Sequence, residues 1–114
     1  MELPHDSLLL RIFIGESDRF DGKPLHEAIV LKAREQHLAG ATVLHGTMGF
    51  GKSSRLHTSK ILRLSYDLPV VIEITDSEEK INAFLPVIDG MISGGLVTLE
   101  KVRAIRYLGA KRPE

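Results

Sequence analysis

Two periodicities alternate along this chain, and they do so twice. Residues 7–15 (SLLLRIFIG) place Leu8, Leu10, Ile12 and Ile14 on one side of an extended strand, with Leu9, Arg11 and Phe13 on the other. Residues 69–75 (PVVIEIT) repeat the pattern, with Val70, Ile72 and Ile74 opposed to Val71 and Glu73. Each run is followed by an apolar stripe at helical spacing. Leu25, Ala28, Ile29 and Ala33 predict a helix over residues 24–39, opened by Pro24 and stopped by Gly40. Ile81, Phe84, Leu85 and Ile88 predict a second, capped by Asp76 or Ser77, with Asp76 and Glu79 at capping-box spacing. Pro86 lies inside that stripe and predicts a kink or an early end. Between the first strand and its helix, Asp21-Gly22 is turn chemistry in the loop 16–23. Residues 41–47 and, after the Ser93-Gly94-Gly95 turn, 96–106 read as the remaining strands.

The order is therefore β-α-β, a long loop over residues 48–65, then β-α-β. Right-handed crossovers put both helices on one face of a four-stranded antiparallel sheet, an α+β, ferredoxin-like arrangement. The face carrying Leu9, Phe13 and Val71 is too apolar to be wholly solvated, which predicts that copies of the chain pack sheet to sheet. The competing expectation is that the long loop folds over it. On this face Arg11 and Glu73 are expected to form an ion pair.

A chain of 114 residues makes one domain, with a core over 7–106 and a basic tail over 107–114. Fifteen Lys and Arg balance fifteen Asp and Glu, which argues against a general nucleic-acid or membrane-surface binder. The absence of cysteine excludes disulfides, thiolate metal sites and cysteine nucleophiles. The apolar run Leu8 to Ile14 is too short to span a bilayer, and its flank from Glu2 to Asp6 is acidic, so a cytoplasmic location is expected.

The sharpest local signal is Gly46-Thr47-Met48-Gly49-Phe50-Gly51-Lys52-Ser53, which matches G-x-x-x-x-G-K-[ST]. Such a turn points backbone N–H groups at phosphate oxygens, with Lys52 adding charge and Ser53 reaching a magnesium ion. One reading is thus a small P-loop nucleotide hydrolase using Lys52, Ser53 and Asp76. Against it, residues 54–64 lack a convincing helix start, and such a core normally needs a larger parallel sheet. A glycine-rich phosphate-binding turn in another fold, or a plain hairpin connection, remains open. His45 and His57 lie near this loop, and His5, His26 and His37 elsewhere. None has paired ligand spacing on a helix, so no metal is expected.

The G-x-M-G-F-G run at 46–51 resembles the bacterial and archaeal domain-of-unknown-function family 190 (DUF190, UPF0166-like). So do Ile14-Gly15-Glu16, Gly22-Lys23-Pro24-Leu25, Leu68-Pro69-Val70 and Glu78-Glu79-Lys80-Ile81. The resemblance covers about residues 8 to 106. It implies a subunit like those of the PII (GlnB-like) signalling proteins, usually trimeric, holding AMP, ADP or ATP between subunits. It makes Gly46 to Gly51 the start of the effector loop, with Lys52-Ser53 completing the phosphate-loop pattern by chance. It also gives Gly94 and Gly95 the place of the short loop that wraps phosphates, here without the usual nearby basic residue. Lys101 and Arg103 are the cations that a neighbouring subunit would add. Some members occur fused or adjacent to CrcB-type fluoride channels, which implies a membrane-transporter partner. The expectation is a non-catalytic regulator whose nucleotide orders loop 48–65.

Overall fold

The structure, a computed structural model, describes residues 5–51, 57–58, 67–107 and 109, with no side-chain detail at 57 and 58. Four strands, β1 (His5–Gly15), β2 (Thr42–His45), β3 (Pro69–Ser77) and β4 (Leu96–Ala104), form one sheet in the order β2-β3-β1-β4. Every neighbouring pair is antiparallel. Helix α1 (Leu25–Glu35) joins β1 to β2, and α2 (Glu78–Asp89) joins β3 to β4. This is the expected ferredoxin-like α+β topology.

The register explains the core. Leu10 lies opposite Ile74, Ile12 opposite Ile72 and Ile14 opposite Val70, so the inward sets of the two central strands form one apolar floor. Leu25, Ile29 and Ala33 of α1 and Ile81, Phe84 and Ile88 of α2 close over it, all buried. At roughly 25 cal/mol per Å² of apolar surface removed from water, this single layer is the main favourable term in folding.

Several element ends differ from the sequence reading, and of the two caps expected for the second helix Ser77 is the one that forms. Helix α1 stops at Glu35, not Ala39. Gln36 is its C-cap and His37 turns left-handed at φ 62°. The Leu38 N–H donates to the Ala33 carbonyl at 3.0 Å and the His37 N–H to that of Arg34 at 3.1 Å, a Schellman pair that ends the helix before Gly40. Pro24 caps this helix rather than opening it. Helix α2 is capped by Ser77, whose hydroxyl accepts from the Lys80 N–H at 3.2 Å. Asp76 instead accepts from the N–H groups of Ala39 and Ser77, so no capping box forms with Glu79. Helix α2 also runs through Pro86 to Asp89. Pro86 and Asn82, whose carbonyl loses its partner, are both exposed, so water is available to that carbonyl. Strand β4 ends at Ala104, which leaves Arg106 beyond the sheet.

Replacing Ser77 with alanine removes the cap and should cost about 1 kcal/mol. Urea unfolding at fixed protein concentration reads this as a lower midpoint with an unchanged slope. An unchanged midpoint would show that the cap contributes nothing.

Asp21-Gly22 forms the expected tight turn. Both residues have positive φ, 50° and 77°, and join the two-residue strands Arg19–Phe20 and Lys23–Pro24. Met48–Gly49 likewise pairs with His57–Thr58.

Candidate functional site

The open face of the sheet carries a row of apolar side chains across all four strands. Leu44 lies opposite Val71, Val71 opposite Phe13, and Phe13 opposite Leu96. Phe13, Leu44 and Leu96 are 37%, 48% and 59% exposed, a contiguous apolar surface in the single chain. The next row is polar: Thr42, Glu73, Arg11 and Thr98. The Arg11 Nε donates to Glu73 Oε2 at 2.9 Å and its Nη1 to Glu100 Oε1 at 3.2 Å, so one guanidinium ties β1 to both neighbours. The hydrogen bond to Glu73, above all, raises the Arg11 pKa beyond its ordinary value, and the group stays charged. The expected Arg11–Glu73 pair is present, with Glu100 as an unforeseen third member.

A cavity of about 700 Å³ opens where β1 ends and β3 and β4 begin. Two turns far apart in sequence meet there: Gly49, Phe50 and Gly51 from one, Ser93, Gly94 and Gly95 from the other. The first turn is seated on Pro69. The Gly46 N–H donates to the Pro69 carbonyl at 2.7 Å, and side chains at 46 or 49 would meet the proline ring at 2.7 and 3.0 Å. The second turn is fixed by Gly95, at φ 146° against the Phe13 carbonyl. Phe13, Ile14, Pro69 and Leu96 supply apolar wall.

Two acids complete this site, and the sequence reading missed both. Asp18 Oδ2 accepts from the Gly15 N–H at 2.9 Å, and Asp67 Oδ1 accepts from the Ser17 N–H at 2.9 Å. The Asp67 carboxylate fills the space that a side chain at Gly15 would need. No local motif links Asp18 and Asp67; the end of β1 running beside the start of β3, through Gly15 opposite Pro69 and the Glu16 N–H on the Leu68 carbonyl, brings them together.

The proposed ligand residues thus divide. Gly49, Gly51, Gly94 and Gly95 line one cavity. Gly46 anchors the turn from behind, and Thr47 is exposed beside it. Lys101 and Arg103 are exposed on β4, opposite Leu8 and Asp6, and Lys101 is six residues along the strand from Gly95, roughly 20 Å at strand spacing. Within one chain they do not reach the cavity. Lys52 and Ser53 lie outside the described residues, as do Arg55, Lys60 and Arg63.

The phosphate-loop reading is corrected by the same geometry. His57–Thr58 is strand where the helix of such a loop would run, and the sheet is antiparallel throughout. Asp76 stands at the opposite end of β3 from Pro69 and is bound to backbone N–H groups. His26 and His45 meet edge to face, with ring centroids 5.5 Å apart, a pairing invisible in sequence. Among the described residues no three His, Asp or Glu side chains gather into a metal-binding group. No helix among them is long and apolar enough to cross a membrane.

The fold is that of the PII-like proteins. The nitrogen regulatory PII-like protein CPII from Thiomonas intermedia K12, in a structure bound to ADP, AMP and bicarbonate, superposes with a TM-score of 0.62. The match covers 91% of this chain and 92% of that one at 15% identity. A second CPII structure, bound to ADP and bicarbonate, gives 0.60 at 16% identity over 91% and 93% of the two chains. The chain belongs to the DUF190 family, described as "Uncharacterized ACR, COG1993", whose model matches residues 7–104. It is 45% identical over 97 residues to a UPF0166 protein of Aquifex aeolicus, covering 85% of this chain and 91% of that protein. It is 36% identical over 92 residues to a UPF0166 protein of Methanocaldococcus jannaschii, covering 80% and 84%.

Proposed function

We propose that this protein is a PII-like regulator that binds an adenine nucleotide, AMP, ADP or ATP, in the cavity between its two glycine turns. The observation that carries the reading is the meeting of Gly49–Gly51 with Ser93–Gly95 in one 700 Å³ space, large enough for such a ligand. The adenine nucleotides named with the two CPII structures support it by likeness of fold. Copies associate, as a trimer, through the apolar row Leu44–Val71–Phe13–Leu96. A neighbouring copy then adds Lys101 and Arg103 to the phosphates, alongside Lys52 and Ser53. The nucleotide favours one state of segment 48–65, and that state docks on a partner protein such as a membrane transporter. A ligand shifts such an equilibrium only by its differential affinity for the two states. No bond-breaking step is part of this reading.

Calorimetry with AMP, ADP and ATP tests the ligand, and light scattering over a range of protein concentrations tests the assembly. Saturable binding of at least one nucleotide, weakened by Lys52→Ala, is the expected result. Three flat titrations overturn the ligand, and a single-copy species at every concentration overturns the assembly.

A further inference from the structure

We propose that His26 and His45 together hold a divalent transition-metal ion, of the zinc, nickel or copper class, at the edge of the sheet where α1 begins. The site lies outside the cavity and does not depend on the nucleotide reading.

Placement is the first argument. His45 is the last residue of β2 and lies opposite Val70. It shares the helix side of the sheet with Val43, which packs on the core opposite Ile72. His26 is the second residue of α1, next to the buried Leu25. The fold brings the two imidazoles together edge to face, with ring centroids 5.5 Å apart and planes at 84°. An ion about 2.0–2.1 Å from one nitrogen of each ring stands roughly 3 Å from each ring centre, so two ligated rings lie about 5–6 Å apart. The observed separation already falls in that span. A small turn of each ring about its Cβ–Cγ bond, a soft torsion, aims one nitrogen at the ion.

An unmet bond is the second argument. The Nδ1 of His26 is buried and has no hydrogen-bond partner. Burying a polar atom unpaired is unfavourable, and folded proteins nearly always satisfy such an atom. An ion ligated by this nitrogen supplies the missing bond.

The backbone is also held beside both residues. The Leu25 N–H donates to the Asp18 carbonyl at 2.7 Å, and the Gly46 N–H to that of Pro69 at 2.7 Å. Both ligands are thus positioned before an ion arrives. Imidazole suits zinc, nickel and copper, whereas magnesium and calcium prefer oxygen. Two protein ligands leave the remaining positions to water, as at zinc sites that keep an open position.

The alternative is that the two rings only pack on each other. Calorimetry of the untagged, nucleotide-free protein with zinc chloride separates the two, with magnesium chloride as the comparison. The wild type should take up one zinc per chain and no magnesium. His26→Ala and His45→Ala should each lose about tenfold or more in zinc affinity, since losing even an outer partner of a ligand has that effect. His5→Ala, at an exposed site on β1, should bind as the wild type does. Should His26→Ala not fold, the exposed His45 carries the test. Urea unfolding gives a second reading: zinc should raise the midpoint of the wild type and leave that of His45→Ala unmoved. A wild type that takes up no zinc overturns the proposal. So does unchanged affinity in His45→Ala, which leaves only a packing contact, or an equal loss in His5→Ala, which puts the ion elsewhere.

Discussion

Phe84→Ala should remove about 3–5 kcal/mol of stability, the range for deleting a buried phenylalanine from a packed core. Phe84 is 2% exposed and stands at the middle of α2, which packs on β1 and β3. Its ring has Ile81 and Ile88 of its own helix as buried neighbours in the same cluster. Truncation loses the transfer free energy of the ring and leaves a cavity that a rigid sheet cannot fill by collapse. Domains of this size hold a total of about 5–15 kcal/mol, so the variant should be close to unfolded at physiological temperature. Urea unfolding at fixed protomer concentration measures the loss, since any association of copies would add to the apparent stability. Phe50→Ala is the matched control: the same atoms are removed from an exposed ring, and the change should stay within about 0.5 kcal/mol. A loss below about 1 kcal/mol at Phe84 would mean that the helix layer is not packed as described.

Gly95→Ala should cost about 2–4 kcal/mol, because a strained backbone and a backbone clash act together. The φ of 146° is a region that side-chain-bearing residues avoid. A methyl group there would lie 2.6 Å from the Phe13 carbonyl oxygen and 3.2 Å from Ile14 Cγ2. The first of these is backbone in the centre of the sheet and cannot swing aside. The start of β4 must move, and the turn that closes the cavity moves with it, so ligand binding should fall together with stability. Gly94→Ala is the control one residue earlier, where nothing lies within 4 Å of the added methyl and φ is not positive. Equal stability for the two variants would show that the strain assigned to Gly95 is absent.

The architecture was legible because both central strands write the same alternation. Leu10, Ile12 and Ile14 and Val70, Ile72 and Ile74 face inward in sequence and pair in register in space. What escaped the sequence were features set by a single backbone conformation or a distant partner. His37 ends α1 by turning left-handed, a conformation uncommon for any residue but glycine even though histidine adopts it more readily than most, so glycine at 40 is the more natural stop to expect. Pro86 predicts a kink or an early end, and the helix continues three residues past it to Asp89, with Pro86 and Asn82 both exposed so that water can reach the carbonyl left without a partner. At the site, glycine turns announce themselves through composition. Asp18 and Asp67 do not, since each looks like loop polarity until β1 and β3 bring them together. The phosphate-loop match failed for the opposite reason: a short pattern fixes residue types and says nothing of whether strand or helix follows.

Phe13 and Leu96 stand both in the apolar row across the sheet and in the wall of the cavity. A side chain with two such faces cannot be altered for one surface alone. If copies join through that row, whatever fills the cavity presses on the same two side chains, and the free energies of filling and joining are coupled with equal strength in both directions. Self-association would then vary with ligand concentration through a partition two side chains thick, with no hinge or relay between them.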